Sequence, residues 1–310
     1  MSSSGQLSPR LFGSSCCDPT SPKADAVLLL GGRYGGSSES YSCDLTFGDI
    51  AGDARGMEAA VLNNEVYVCG GKYPGQGIIP DCYKNKGGLI WEKVADMNKA
   101  RTRFSMNLVG NQILAAGGNL GPVGFFGWTD SMEVFDGTSW TLLPTTLFFN
   151  RSSHCAVTIS DTEVVFLGGY RSRLNPTANV HKFDLSTQRF QRLPNIPTTR
   201  SEHACAFLNG DIYVAGGVED RSRNTTDRVD ILNVKTKLWR TGPPLINKRF
   251  DHSMEVLNGE IMVFGGNGAW REFDISVEEN TVEILRNGVW VQEFLQYAHS
   301  SHTSVTLPCA

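Results

Sequence analysis

The chain has 310 residues, 33 glycines and a formal net charge of −4, and 40% of it is hydrophobic. So modest a charge argues against bulk binding to nucleic acid or to acidic membranes, and no apolar run approaches the ~20 residues of a spanning helix. Residues 1–24 are rich in Ser, Gly and Pro and lack the apolar core of a signal peptide. That composition predicts a disordered tail ahead of one folded unit over 25–310, resident in the cytoplasm.

The folded unit opens on a short apolar strand, Val27–Gly31, which ends in the doublet Gly31-Gly32. Five further doublets follow at Gly70-Gly71, Gly117-Gly118, Gly168-Gly169, Gly216-Gly217 and Gly265-Gly266. Successive doublets begin 39, 47, 51, 48 and 49 residues apart. Each of the five later ones closes a strand of the type Glu65-Val-Tyr-Val-Cys69. Ahead of that strand lies a tight-turn signal (Asn63-Asn64, Gly110-Asn111, Ser160-Asp161, Asn209-Gly210, Asn258-Gly259) and, before it, another apolar stretch. Asn, Asp and Gly tolerate the positive φ that two-residue hairpin turns require. Glycine at the strand end lets a neighbouring backbone or ring approach closely.

A third strand is predicted over segments such as 131–135, 180–183 and 228–232. A fourth carries a spaced aromatic: Trp91, Trp140, Phe190, Trp239 and Trp290. Four short strands recurring with a period near fifty read as the blade of a propeller. About ten residues after the aromatic stands an arginine: Arg101, Arg151, Arg200 and Arg249. The last three open the tetrads Arg151–His154, Arg200–His203 and Arg249–His252. In the corresponding slots Arg101 leads to Phe104 and His299 to His302. The first unit departs from the pattern, with Phe47 the nearest aromatic and Ala54-Arg55 in the arginine slot.

The termini predict how the ring closes. Val27–Gly31 has no preceding hairpin partner, and the segment 302–307 starts a unit that the chain never completes. Pairing the two halves gives five whole blades and one shared blade, and removes two open sheet edges. The expected fold is all-β, a six-bladed propeller whose first blade is closed by the C-terminal strand.

Apolar strand, glycine doublet, spaced aromatic and Arg-x-x-His together resemble the kelch repeat over nearly the whole of 25–307. That resemblance implies a binding scaffold. In kelch-like adaptors, arginines in this slot grip acidic peptides. Carried over, Arg101, Arg151, Arg200 and Arg249 would converge at one channel mouth, with Arg33 after the first doublet as a further arginine position; the alternative is that they bind carbonyls between blades. Guanidinium groups in a ring attract carboxylates.

Variable loops after the doublets add Tyr170, Phe126 and Trp128 as partner-binding candidates on a rigid frame. The reading is therefore a scaffold for a protein or acidic peptide, with substrate recognition for a ubiquitin ligase as one form. Actin or cytoskeletal binding is the alternative, and a sugar-modifying enzyme is the weakest reading. No cofactor or metal is expected. The histidines recur once per blade, which favours repeat-wise hydrogen bonding. The Gly-rich segments have neither the Gly-Lys-Ser/Thr nor the helix of a phosphate loop. All eight cysteines are read as reduced thiols.

Overall fold

The structure is a computed structural model that describes residues 26–32, 39–41, 54–121, 127–172, 175–268 and 279–307. The expected disordered tail, the candidates Arg33 and Phe126, and Phe47 of the first unit lie outside the described residues. Every regular element described is a strand. Five sheets have four strands each in simple meander order, and a sixth pairs Ala26–Leu30 with Glu39–Tyr41 on one side and Thr303–Leu307 on the other. Blades are numbered here by their glycine doublet, so this shared sheet is the first blade.

The inner strands, Glu58–Leu62, Ser105–Val109, Cys155–Thr158, Ala204–Leu208, Ser253–Leu257 and Thr303–Leu307, each touch the next. The last touches the first, so six blades close a ring. The C-terminal strand runs antiparallel to Ala26–Leu30 in a register that pairs Ala26 with Leu307 and Leu30 with Thr303. The expected closure and fold class are thus what the chain adopts.

Second strands are buried on both faces, as at Ile113–Ala116 and Val164–Leu167, because each is sandwiched between neighbouring blades. This is why they read as unbroken apolar runs rather than alternating ones. Asn63-Asn64, Asn209-Gly210 and Asn258-Gly259 take the positive φ expected of them. Ser160-Asp161 does not; there the hairpin is wider, with Ile159 N–H donating to Glu163 O at 2.9 Å.

The doublets explain how flat sheets lock into a ring. A Cβ on Gly168 would sit 2.4 Å from Arg200 O and 2.6 Å from His203 Cε1; one on Gly169 would sit 2.6 Å from His154 Cβ. Each doublet is therefore gripped between the Arg-x-x-His segment of its own blade and that of the next. Both glycines also have positive φ, which non-glycine residues adopt only at a cost. The second glycine's N–H donates to the carbonyl of the next blade's slot residue, as from Gly118 to Arg151, Gly169 to Arg200 and Gly217 to Arg249, each at 2.7 Å. The spaced tryptophans staple the rim. Indole N–H groups of Trp140, Trp239 and Trp290 donate to Ala95, Pro194 and Pro243 carbonyls of the preceding blade at 3.1, 3.0 and 2.9 Å.

The expectation of reduced thiols is corrected for four of the eight cysteines; Cys16, Cys17, Cys43 and Cys309 lie outside the described residues. Cys69 and Cys82 face each other on adjacent strands of the second blade and are bonded. Cys155 and Cys205, on the inner strands of the fourth and fifth blades, are bonded as well. Strand register sets the first pair opposite each other and the contact between neighbouring inner strands brings the second together, neither of which a count of cysteines reveals.

Candidate partner-binding face

Arg101, Arg151, Arg200 and Arg249 do not ring the channel mouth. All four are at most 2% exposed. Three of them, Arg101, Arg200 and Arg249, bond the first glycine carbonyl of their own blade's doublet and reach a buried acid there. Arg101 donates to Gly117 O at 2.7 Å and to Glu133 at 2.9 Å. Arg200 meets Asp230 at 2.7 Å, and Arg249 meets Gly265 O at 2.7 Å and Glu283 at 2.5 Å. Their loops do converge on one mouth, but the side chains turn inward and bond within their own blade, while their backbone carbonyls bond the preceding one.

The mouth belongs to the residue two places later. Gly56, Arg103, Ser153, Glu202, Asp251 and Ser301 all have positive φ, between 50° and 63°. Each donates its N–H to the carbonyl of the one before. The order runs from Arg103 to Gly56, Ser153 to Arg103, Glu202 to Ser153, Asp251 to Glu202, Ser301 to Asp251, and Gly56 to Ser301, at 2.8 to 3.4 Å. Six backbone hydrogen bonds thus close a circle around the axis. A left-handed backbone at five non-glycine positions is uncommon and is sustained by the surrounding ring. No one residue type recurs around the circle beyond the two serines, so only the repeat offset from the arginine slot could have pointed to it.

The side chains of this circle form a charged cluster. Arg103 is 44% exposed and reaches Glu202 at 2.9 Å and Asp251 at 3.7 Å. Arg223, from the loop after Gly216-Gly217, pairs with Glu202 at 3.0 Å, and Ser301 Oγ donates to Asp251 at 3.0 Å. Asp251 and Glu202 hold the Arg103 guanidinium more firmly charged. Burial, then the charge of Asp251, pushes the Glu202 carboxyl up against the opposing pull of Arg103 and Arg223.

The loops after the doublets surround this mouth. Backbone bridges join them to the slot segments at Arg55 and Lys72, Thr102 and Asn119, Ser152 and Tyr170, and Ser201 and Val218. The described part of the face exposes Arg55, Arg103, Arg171 and Arg221, together with Asp220. Arg221 donates to Asn175 of the neighbouring loop at 3.3 Å. Of the aromatic candidates, Tyr170 is buried, and burial pushes its hydroxyl up to about 12, so its ring is packing. Trp128 is half-buried in a bridge to Asn119.

Beneath the mouth the channel holds a cavity of about 440 Å³ between the six inner strands. Glu58 and Glu255 line it on either side of the C-terminal strand; Thr303 bonds Glu58, and Ser304 and Thr306 bond Glu255. Burial raises both carboxyls, Glu58 to about 8. His154, His203, His252 and His302 stand at the top of the same cavity. Burial and then a nearby cation hold the first three neutral, with His203 down to about 3; His302 is lowered by burial and then by His299. His181 falls to about 4 for the same reasons.

These shifts predict a stability profile with a single summit. A histidine lowered on folding stabilises above 6.5, and that stability is lost as pH falls toward its folded value. A raised carboxyl stabilises below its ordinary 4.5, and that stability is lost as pH rises through its folded value. Below 6.5 the five imidazoles outnumber Glu58, Glu202 and Glu255, so acid destabilises. Above 6.5 the imidazoles no longer titrate while Glu58, raised to about 8, still does, so alkali destabilises. Melting temperature measured from pH 4 to 9 is expected to peak near 6.5, and Glu58→Gln to flatten the alkaline side. A melting temperature that climbs from 6.5 to 8 contradicts this account.

The geometry meets its relatives at this point. A sequence model of the KLHDC2/KLHL20/DRC7 Kelch-repeats domain matches residues 103–292. The chain is 26% identical over 168 residues to Kelch-like protein 26 of Danio rerio, covering 52% of this chain and 27% of that protein. It is 26% identical over 136 residues to Kelch domain-containing protein 8B of Rattus norvegicus, covering 41% and 38%. To Kelch domain-containing protein 3 of Rattus norvegicus it is 30% identical over 228 residues, covering 63% and 58%. It spans less than two thirds of the length of each.

Proposed function

We propose a scaffold that holds a partner protein, from the premise that this chain belongs to the kelch-repeat family and folds as its six-bladed propeller. The partner presents an acidic segment to the face that carries the mouth. The observation that supports this is a run of guanidinium groups across adjoining loops, from Arg171 past Asn175 to Arg221, then Arg223, Glu202 and Arg103. Arginines on a rigid frame recognise planar carboxylates through paired donors. The buried slot arginines belong to the frame instead.

The reading is non-catalytic. Glu202 is the carboxylate closest to the arginines at the mouth, and guanidinium groups occupy both its oxygens, from Arg103 at 2.9 Å and Arg223 at 3.0 Å. Substrate recognition for a ubiquitin ligase is one form of such a scaffold, and a cytoskeletal partner such as actin is another.

The test uses an array of acidic peptides beside neutral peptides of the same length, probed with the wild-type chain and with Arg171→Glu/Arg221→Glu. Circular dichroism first establishes that the variant is folded. Selective, salt-sensitive capture of acidic peptides by the wild type, reduced at least about tenfold in the variant, is the expected result. Equal capture by both proteins removes this face from consideration.

A further inference from the structure

The buried arginine of the fourth blade lacks the acid that its counterparts have. In the third, fifth and sixth blades the residue facing the strand two places before the doublet is Glu133, Asp230 or Glu283, opposite Ala115, Val214 and Val263 respectively. At the same register in the fourth blade, opposite Phe166, stands His181. Its Nδ1 lies 3.2 Å from Arg151 Nη2. Arg151 Nε and Nη1 have no partner, although the side chain is buried; Arg200 and Arg249 leave only Nε unpartnered.

The surroundings are cationic. Arg171 from the next loop and Arg151 lie over the same Phe149 ring, at 4.3 and 4.7 Å from its centroid. Arg192 faces His181 across the strand pair. Phe148, 61% exposed, stacks on His181 at 4.5 Å. Burial, then Arg171, draws Arg151 down to about 9, the mark of a guanidinium short of a counter-charge. Leaving a buried charge without a partner is costly, and this chain relieves the cost in the three equivalent blades with a carboxylate.

We propose that the slot formed by Arg151, His181, Arg171 and Phe149 is an anion site whose ligand is a carboxylate group supplied from outside the chain. The register selects carboxylate over phosphate, since a single Glu or Asp side chain fills this position in the other blades. Phe149 is the cover, half-buried between two guanidinium groups. When its ring turns aside, Arg151 is uncovered and Arg171 closes on the ligand from the solvent side. The source fitting this chemistry is an acidic side chain of a partner, and in that respect alone the inference rests on the scaffold reading above.

The test needs no partner. Thermal melting of the full chain is followed in glutarate, in phosphate and in chloride at equal ionic strength. The wild type is expected to gain melting temperature with glutarate concentration beyond the chloride control. His181→Asp, which installs the acid internally, is expected to melt higher than the wild type and to lose the glutarate response. Arg171→Ala is expected to move the glutarate midpoint up at least about tenfold.

Should His181→Asp not fold, Arg151→Met supplies the second reading and is expected to give no glutarate response. A wild type that answers glutarate no better than chloride overturns the site, as does a folded His181→Asp that responds like the wild type. A response to phosphate without one to glutarate overturns the carboxylate assignment. Because no peptide is present, failure here leaves the acidic-peptide reading standing, and failure of the peptide array leaves this site standing.

Discussion

Replacing Arg249 by methionine is expected to cost about 3–5 kcal/mol of folding stability, while the same change at Arg151 costs about 1 kcal/mol or less. The two residues occupy the same slot in different blades, and both are buried. Arg249 donates to Gly265 O, to Thr281 Oγ1 at 3.0 Å and to Glu283. Glu283 in turn accepts from the N–H groups of Ile246 at 2.7 Å and Asn247 at 3.0 Å, the segment leading into Arg249. Methionine fills much of the volume but leaves the Glu283 carboxylate buried with no cation. Arg151 has no carboxylate to abandon, so its removal takes away a buried charge along with one bond to His181. Denaturant titration of both variants decides the matter, and Arg249→Met/Glu283→Leu is expected to recover most of the loss. Equal costs at the two positions contradict the claim that the acid distinguishes them.

That contrast also locates what could be read from the sequence. The glycine doublets, the aromatics and the split blade are legible because a repeat states its geometry six times, and a single departure, such as His181 among Glu133, Asp230 and Glu283, then stands out. The direction of the slot arginines is not legible. It is decided by the left-handed turn two residues later, and the residues that make that turn (Arg103, Ser153, Glu202, Asp251, Ser301) follow no common type. With that turn, the arginine passes under the glycines and its successor takes the mouth. Repeat spacing thus marks the loops that gather at this mouth, but not which residue of each loop faces it.

The burial of the arginines and the exposure of the mouth are two sides of one arrangement. Each blade contacts only its neighbours, so the ring is stable only if every seam is held. Here each seam is held by the carbonyl of the slot residue bonding the preceding doublet, with a histidine, Phe104 or Met57 packed against that glycine. The repeat leaves free the circle residues, the loops of unequal length after each doublet, and the unpaired nitrogens of Arg151. On this chain those positions include Arg103, Arg171, Arg221 and Arg223, the residues that the proposed partner would meet.

Breaking the Cys155–Cys205 bond is expected to lower stability by about 4 kcal/mol, the loop-closure value for cysteines 50 residues apart. The Cys69–Cys82 bond closes a loop of 13 residues and is expected to contribute about 3 kcal/mol. The two differ more in where the loss appears. Cys69 and Cys82 join strands of one sheet already paired by a ladder, so their loss is shared across the second blade. Cys155 and Cys205 join inner strands of different sheets, across a seam otherwise held by the Gly169 bond to Arg200 and by His203 under Gly168. Loosening there exposes the amides of Cys155–Thr158 and Ala204–Leu208 to exchange, while the ring remains closed through the pairing of Ala26–Leu30 with Thr303–Leu307. Hydrogen exchange and denaturant titration of Cys155→Ser/Cys205→Ser, beside the wild type with and without reductant, separate these effects. Protection lost on those two strands alone, with the other four inner strands unchanged, is the expected pattern. A reduced wild type as stable as the oxidised one shows that the bond contributes nothing, and uniform loss around the ring shows that the seams do not act one by one.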